Sequence, residues 1–360
     1  MKIGFIGLGI IGGSIAKALR KYYPESHIVA CDPDKESLAH ALTDEIVDTV
    51  CTEVNDNFRN CDYIFLCAPV SLNINLLEQV KPYLEDSCIL TDVGSVKTTI
   101  HRMVEQLDME SYFIGGHPMA GSEKSGYAHS KAHLIENAYY ILTPSKLVAP
   151  TKIQALQELV TSLKSIPIRL DYQEHDQITG TISHLPHIIA SSLVNIVHDL
   201  DGQEEHMKTL AAGGFKDITR IASSSATMWQ QICLENKDAI LPVLDRYIEY
   251  LQQARQQIET SAKEQIFQLF DDAQNYRDSI SDVTRGPIQK SYIIFCDITD
   301  EPGGIAIIST ILASNNVNIK NIGIINNREY VEGALFIEFY DSFAYEMAKE
   351  LLKRHGYQYT

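Results

Sequence analysis

The sequence predicts an α/β protein in three parts: a doubly wound, mostly parallel sheet, then an all-helical region, then a small βαββαβ domain of ferredoxin-like arrangement. Short apolar runs alternate with helical patterns over residues 1–170, which is typical of doubly wound sheets. Strand signals stop over residues 171–285 and return over residues 289–360. The 360 residues of the chain also exceed what one hydrophobic core ordinarily supports, so separate domains are expected.

Short apolar runs in the first region predict strands, and the segments between them predict helices. The runs are KIGFIG (2–7), HIVACD (27–32), YIFLCAP (63–69), CILTDVG (88–94), YFIGGHP (112–118) and IPIRL (166–170). An apolar pattern over residues 153–163 predicts a helix before the last strand. Because ligands of such sheets bind outside the carboxyl ends of the strands, the loops that follow these runs are the expected site.

The helical region carries a long apolar stripe. Its residues recur at spacings of four and three, which is typical of one face of a helix; they are Ile240, Leu244, Tyr247, Leu251, Ala254 and Ile258. The stripe would also suit an intramolecular core, but its length and regularity favour a homodimer that pairs through helices.

After a polar stretch, SDVTRGPIQK (281–290), which we interpret as a linker, the pattern changes again. It predicts in order a strand (292–298), a helix (304–314), two strands (317–325 and 333–339), a helix (343–355) and a short final strand. This order of elements is the ferredoxin-like βαββαβ unit.

Composition and charge exclude several classes of protein. A formal net charge of −17 disfavours binding to nucleic acid or to an anionic membrane. No apolar run approaches the roughly 20 residues of a membrane span, and the N-terminus lacks the pattern of a signal peptide. The 7 cysteines are scattered singly, so we expect reduced thiols and a cytoplasmic protein. An anionic ligand would need local cations to hold it against the negative charge.

The first strand is followed by a glycine-rich turn that predicts a dinucleotide site. Gly7, Gly9 and Gly12 form a GxGxxG motif around Ile10 and Ile11, and an amphipathic helix continues from it. Asp32 ends the next strand. In a Rossmann-like fold, an acid at this position binds the ribose hydroxyls of the dinucleotide and repels the 2′-phosphate of NADP. We therefore expect NAD rather than NADP. Further cofactor contacts are expected at Ala68 and Pro69, which close the strand predicted over 63–69 at the carboxyl edge of the sheet.

Two further strand ends carry reactive groups, TDVGSVK (91–97) and GGHPMAGSEKSG (115–126). A histidine in a loop is more often a surface or capping residue. At the crevice, however, His117 would lie beside the nicotinamide, unencumbered by neighbours and near its ordinary pKa. Such a ring is well suited to accept a hydroxyl proton at neutral pH.

The segment HDQITGTISHLPHIIASSL (175–193) predicts a helix with two faces. One is apolar (Ile178, Ile182, Leu185, Ile189, Leu193, Ile196), and the opposite one carries Gly180, His184, His187 and Ser191. Histidines on a polar face are usually solvated. We expect no metal, because no carboxylate completes a ligand set, and we expect Pro186 to kink the helix.

Cations with helical spacing follow in GGFKDITR (213–220). Lys216 and Arg220 lie four residues apart, so both can point the same way. A planar guanidinium suits a bidentate carboxylate, but the two cations would also suit a surface pair of charges.

Together these segments resemble the prephenate and arogenate dehydrogenase family of tyrosine biosynthesis. The matching motifs are GLGIIGGS (7–14), DVGSVK (92–97), GGHPMAGSEKSG (115–126), SHLPHIIA (183–190) and GGFKDITRIASSSATMW (213–229). The resemblance spans residues 1–285, and the order and spacing of the motifs make it specific.

The resemblance implies a role for each matching position. His117 would be the catalytic histidine that engages the ring hydroxyl of the substrate, and Ser95 would orient it and the nicotinamide. His187 and Arg220 would contact the side chain and the ring carboxylate of the substrate. Glu123 matches an acidic residue at the mouth of the site, and further matched positions are Ser122, Ser183, Lys216 and Trp229.

The implied reaction is the NAD-dependent oxidative decarboxylation of prephenate to 4-hydroxyphenylpyruvate. Arogenate carries an ammonium where prephenate has a keto group, and an imidazole at His187 would disfavour the ammonium, so prephenate is expected. Two competing functions stay open. The chain could be a different hydroxy-acid dehydrogenase or imine reductase, or a non-catalytic amino-acid sensor on a dinucleotide-binding fold.

The C-terminal region resembles an ACT domain, a module that binds amino acids and pairs across dimers. DITDEPGG (297–304) and NNVNI (315–319) carry this resemblance. It implies that tyrosine, the end product of the pathway, is the effector, with contacts from Asp300, Pro302, Gly303, Gly304 and Asn318.

Overall fold

The computed structural model describes residues 1–121, 124–280, 292–298, 302–325 and 334–359. The chain divides into two compact units, Met1–Ile280 and Ser281–Thr360.

The first unit is built on one eight-stranded sheet of order β3-β2-β1-β4-β5-β6-β7-β8. Neighbouring strands are parallel except at the β6/β7 pair, which is antiparallel. The strands are β1 (Lys2–Ile6), β2 (His27–Cys31), β3 (Thr49–Cys51), β4 (Tyr63–Leu66), β5 (Ile89–Asp92), β6 (Phe113–Pro118), β7 (Tyr139–Pro144) and β8 (Ile166–Arg169). All the strands predicted in this region are present, and the mostly parallel, doubly wound sheet is confirmed.

Helices cover both faces of this sheet. They are α1 (Ile10–Tyr22), α2 (Lys35–Thr43), α3 (Val70–Val80), α4 (Thr98–Gln106) and α5 (Pro150–Ser162). Side chains of a strand point alternately to the two faces, so Phe65 of β4 packs into one apolar cluster and its neighbours Ile64 and Leu66 into another. The strand order reverses between β1 and β4, and this reversal opens the crevice where such sheets bind ligands.

Helices alone follow the sheet up to the end of the first unit. They are α6 (Tyr172–Thr179), α7 (Leu185–Leu200), α8 (His206–Leu210), α9 (Gly213–Thr219), α10 (Ala226–Glu235), α11 (Lys237–Glu259) and α12 (Lys263–Ser279). A π-helical turn, Gly180–His184, joins α6 to α7, and Pro186 lies in the first turn of α7. Pro186 therefore lies at the start of a helix, and the irregularity that we expected at Pro186 takes the form of the π-turn that precedes it.

This turn overturns the expected orientation of the histidine-bearing helix. His184, which we expected on a solvated face, is 1% exposed, whereas Ile182 of the expected core face is 62% exposed. A π-turn contains more residues than an α-turn, so it rotates the residues that follow relative to a regular helix. His184 consequently faces inward, His187 is half-buried, and apolar side chains of this region such as Ile182 lie at the surface of the single chain.

The second unit contains a three-stranded antiparallel sheet of order β10-β11-β9. Its elements are β9 (Tyr292–Asp297), α13 (Gly304–Ser314), β10 (Ile319–Ile325), β11 (Ala334–Phe339) and α14 (Ser342–Arg354). The predicted final strand is reduced to one bridge between Cys296 and Tyr359. Ile294, Ile308, Leu335 and Leu352 contribute to a separate apolar core. No helix in the described part of either unit is long and apolar enough to cross a membrane.

One buried histidine links the sheet to the helical region and makes stability depend on pH. His101 of α4 is 5% exposed, lies 2.9 Å from the Thr143 hydroxyl and stacks on Tyr172 at 4.5 Å between ring centroids. Burial, assisted by the charge of Lys97, lowers the pKa of His101 to about 3.

Below its ordinary pKa of about 6.5, an unfolded His101 takes up a proton that the folded chain excludes. The free energy of unfolding should therefore fall as pH drops from about 6.5 towards 3, and His101→Gln should flatten this fall by up to ~1.4 kcal/mol per pH unit. Urea titrations at pH 7, 6 and 5 measure the slope, with the exposed His133→Gln as the control that keeps it. Equal slopes for wild type and His101→Gln would show that another group dominates.

Candidate functional site

The loops that follow β1, β4, β5 and β6 meet at the carboxyl edge of the sheet and form the candidate site. Each of the four begins at a strand predicted from the sequence. The first two loops bear on the dinucleotide, the third carries Ser95, and the fourth follows the end of β6, where His117 lies.

The glycine turn after β1 has the shape that a pyrophosphate requires. Gly7 has φ +95, and a Cβ there would lie 2.7 Å from the backbone nitrogen of Ala68, so only glycine fits. A Cβ on Gly9 would meet no atom of the described residues within 4 Å. Gly9 caps α1 without a side-chain hydrogen bond, so the first amides of the helix, including those of Ile10, Ile11 and Gly12, are available to an anion.

The acid at the end of β2 lies beside this turn. The Asp32 carboxylate accepts hydrogen bonds from the backbone amides of Leu8 at 2.6 Å and Asp34 at 2.8 Å. These bonds fix the carboxylate next to the glycine turn and leave further lone pairs for the ribose hydroxyls. Ala68 and Pro69 follow β4 on the other side of Gly7, and Pro69 is the N-cap residue of α3. The residues present therefore fit NAD.

A buried ion pair underlies the other two loops. Asp92, at the end of β5, is 1% exposed and pairs with the Lys97 ammonium, which is fully buried. The same carboxylate accepts hydrogen bonds from the backbone amides of Gly94 at 2.9 Å and Gly116 at 3.1 Å. One side chain thus ties the loop of Ser95 to the strand that contains His117. Ser95 itself is half-buried in that loop.

His117 is not the unencumbered ring that we expected. It lies in β6, opposite Ile141 of β7, and its Nδ1 is 2.8 Å from Nε2 of His175. Nδ1 of His175 is in turn 2.8 Å from a carboxylate oxygen of Asp176. Burial, and then the charges of His175, Lys97 and His184, hold the pKa of His117 well below its ordinary value. The ring is therefore neutral at pH 7. We expected a pKa near the ordinary value, whereas burial and the neighbouring charges lower it.

The helical region contributes a second histidine that is partly exposed. His187 donates its Nδ1 proton to the Ser183 carbonyl at 2.9 Å, and its ring stacks on Trp229 with 3.7 Å between centroids. Burial lowers the pKa of His187, and the positive charge of Arg220 lowers it further, whereas the hydrogen bond to Ser183 raises it. Arg220 therefore lies near enough to His187 to affect its protonation. Arg220 and Lys216 are exposed in the single chain.

Two of the expected residues, Ser122 and Glu123, lie outside the described residues. Within the described ranges, no group of three or more histidine, cysteine, aspartate or glutamate side chains is arranged to hold a metal ion.

The sequence reasoning missed three residues that contact the site's histidines. His175 and Asp176 begin the segment in which only His184 and His187 were singled out, and Asn236 was not considered. The Asn236 amide donates to the Asp176 carbonyl at 2.9 Å and lies 3.0 Å from Nδ1 of His184. In the sequence, only the adjacent histidine and aspartate in α6 could have indicated that these residues belong to the site.

Comparison with known proteins identifies the family. Residues 15–168 match the model of the prephenate dehydrogenase nucleotide-binding domain, and residues 171–272 match that of the prephenate dehydrogenase dimerization domain. The chain belongs to the prephenate dehydrogenase family.

Relatives in this family align over nearly the whole chain. A prephenate dehydrogenase of Bacillus subtilis (strain 168) is 38% identical over 335 residues, which are 92% of this chain and 90% of that protein. One from Lactococcus lactis subsp. cremoris (strain MG1363) is 35% identical over 358 residues, 98% of each chain.

The structure is also similar to a crystal structure of prephenate dehydrogenase from A. aeolicus in complex with hydroxyphenyl propionate and NAD+. The TM-score is 0.74 at 30% identity, covering 78% of this chain and 98% of that one. With the family match and the fit of the glycine turn, this similarity identifies the chain as an NAD-dependent dehydrogenase.

The two glycines of the turn should respond differently to substitution. Gly9→Ala should leave the melting temperature unchanged, because no described atom opposes the new methyl group, but should weaken NAD binding roughly ten- to a hundredfold. Gly7→Ala should lower the melting temperature itself, because its φ is positive and its methyl would meet backbone atoms. Calorimetric titration with NAD and thermal unfolding separate the two effects. Unchanged NAD affinity in Gly9→Ala would mean that the pyrophosphate does not pass over this glycine.

Proposed function

We propose that this dehydrogenase catalyses the oxidative decarboxylation of prephenate to 4-hydroxyphenylpyruvate, a step of tyrosine biosynthesis. The observation that carries the proposal is a neutral histidine, His117, beside the loop of Ser95 and at the same carboxyl edge of the sheet as the dinucleotide turn. The names of the similar enzymes from Bacillus subtilis and Lactococcus lactis support prephenate as the substrate.

NAD, when bound by Gly7, Gly9, Gly12 and Asp32, supplies the hydride acceptor. His117 accepts the proton of the ring hydroxyl as the carbinol carbon is oxidised, and Ser95 orients His117 and the nicotinamide. Oxidation places a carbonyl opposite the quaternary carbon that bears the ring carboxylate. Loss of carbon dioxide from that carbon then restores the aromatic ring.

The anionic groups of the substrate need cations, because the chain is acidic overall. Arg220 contacts the ring carboxylate, and its hold must be loose enough to let carbon dioxide leave. His187 contacts the side chain of the substrate. The remaining proposed substrate-binding residues are Lys216, Ser183, Ser122 and Glu123.

The environment of His187 weakens the argument against arogenate that the residue type alone suggested. With its Nδ1 proton on the Ser183 carbonyl, a neutral His187 offers only the lone pair of Nε2, and a lone pair would accept a hydrogen bond from an ammonium. A substrate carboxylate near the ring would instead favour the imidazolium form, which donates to a keto oxygen. Arogenate therefore remains the second candidate substrate, and the choice rests on the named relatives.

We further propose that the active form is a homodimer. Large apolar side chains are exposed on α7, α11 and α12 of the single chain, as expected of an interface that a second copy covers; they include Ile196, Leu200, Leu251, Ile258, Phe267 and Phe270. The match to a dimerization-domain model supports the same conclusion.

The second unit is proposed to be an ACT domain that binds tyrosine. The order of its elements supports this, as does the turn between β9 and α13, where Gly303 has φ +101 and Pro302 and Gly304 flank it. Asn318, directly before β10, is exposed. Asp300, a further expected contact, lies outside the described residues.

The substrate and the effector can be tested in one assay. NADH absorbance is followed at saturating NAD with prephenate and with arogenate, each with and without tyrosine. We expect turnover of prephenate that tyrosine suppresses. Turnover of arogenate alone would mean that arogenate, and not prephenate, is the substrate. Tyrosine binding without turnover of either compound would indicate an amino-acid sensor.

His117→Asn should lower kcat by roughly 10²–10⁴ and leave KM for prephenate nearly unchanged, because the variant loses a general base but little binding. The pKa of His117 lies well below 6.5, so the ring stays unprotonated as pH falls from 8 to 6.5. The wild-type kcat/KM should therefore show no loss from His117 in this range. Steady-state kinetics over pH 5.5–8 test both points, with the exposed His129→Asn as control. Unchanged kcat in His117→Asn would remove the base from the mechanism.

A further inference from the structure

The hydrogen-bond partners in the site determine where its protons lie. A carboxylate only accepts hydrogen bonds, so His175 carries a proton on Nδ1 and donates it to Asp176 at 2.8 Å. Burial acts to raise the pKa of Asp176, but hydrogen bonds from His175 and Thr98 outweigh it and hold the pKa below its ordinary value. The carboxylate is therefore ionised at neutral pH.

The same reasoning extends to the next ring. Burial lowers the pKa of His175 despite its bond to Asp176, so the ring is neutral and its one proton is on Nδ1. Its Nε2 is then an acceptor, and the donor 2.8 Å away must be Nδ1–H of His117. Since His117 is neutral as well, its Nε2 keeps the lone pair that a general base needs.

Asp176 has a second set of partners. Its two carboxylate oxygens accept the backbone amides of Lys97 at 2.8 Å and Thr98 at 2.7 Å. These amides begin α4, whose own N-cap residue, Lys97, makes no capping bond with its side chain. Asp176 thus caps α4 from the start of the helical region, and Ser95 lies two residues before this cap.

We propose that Asp176 is a positioning residue with two effects. Through His175 it holds His117 as the Nδ1-protonated tautomer, with Nε2 presented to the substrate, and through the amides of Lys97 and Thr98 it holds the loop that carries Ser95. The base and its hydroxyl partner are thereby aligned by one carboxylate. This inference rests on the proposed roles of His117 and Ser95.

The hydrogen bonds from Asp176 through His175 to His117 also act when His117 takes the proton of the substrate hydroxyl. His117 becomes cationic on accepting it, near the ammonium of Lys97 and the rings of His175 and His184, and beside the ion pair of Lys97 with Asp92. Asp176 supplies the compensating negative charge through His175. Its removal should therefore penalise the transition state more than the binding of substrate.

The tautomer can be read in the resting enzyme. In the full chain labelled with ¹⁵N-histidine, the His117 signals are identified by their absence in His117→Asn. We expect Nδ1 of His117 to be protonated and Nε2 to be unprotonated, and we expect His175→Phe to abolish this preference by removing the acceptor. A proton on Nε2 of His117 in the wild type would overturn the proposal. This readout needs no substrate, so it stands apart from any failure of the proposed reaction.

Kinetics test the two effects separately. His175→Phe should lower kcat by roughly 10²–10⁴ with little change in KM, whereas His175→Gln, whose carbonyl can accept from His117, should restore part of the loss. Asp176→Asn should lower kcat and also raise KM for the substrate, because either orientation of the new amide sets an N–H against the amide of Lys97 or Thr98.

The matched control is Asp171→Asn at the start of the same helix, where the side chain accepts from the amide of Gln173 at 2.8 Å. Asparagine caps a helix as well as aspartate, so this variant should keep wild-type kinetics. If His175→Phe retains wild-type kcat, or if Asp171→Asn loses as much as Asp176→Asn, the positioning role is wrong.

Discussion

The buried ion pair of Asp92 and Lys97 holds together the loop of Ser95 and the strand of His117, on which the candidate site depends. Neither side chain reaches solvent appreciably, so each charge has lost its hydration and depends on the other. Backbone amides of Gly94 and Gly116 satisfy the remaining capacity of the carboxylate. A pair of this kind adds little to stability compared with an apolar replacement. Its effect here is geometric, because it joins the end of β5 to β6 through amides that neighbour Ser95 and His117 in the chain.

The sequence was informative about the fold wherever local patterns decide local structure. Apolar runs separated by helical segments predicted six strands of the first sheet, and the glycine turn predicted the crevice. β3 was missed because three residues are too few to show a period. β7 was missed although its run, YYILTP, is apolar; its antiparallel pairing with β6 breaks the alternation of strand and helix on which the reasoning relied.

The interior of the helical region could not be predicted in the same way. A regular helix was assumed over the histidine segment, and the π-turn at Gly180–His184 changed which residues face inward. The contacts that fix His184 come from Asn236, 52 positions away. Likewise, the depressed pKa of His117 depends on burial and on His175, which is 58 positions from it. Residue types were enough to single out His117 as a candidate base, but the environment of that ring is a property of the assembled fold.

The stacking of Trp229 on His187 gives the molecule a built-in optical reporter. The chain has 1 tryptophan, so all indole fluorescence arises at a single position. That indole lies against His187, a proposed substrate contact, and edge-on to the buried ring of His184, and its N–H has no hydrogen-bond partner among the described residues. Changes in protonation, packing or hydration at this end of the crevice therefore reach the chromophore directly, and the emission spectrum reports on this location without any label.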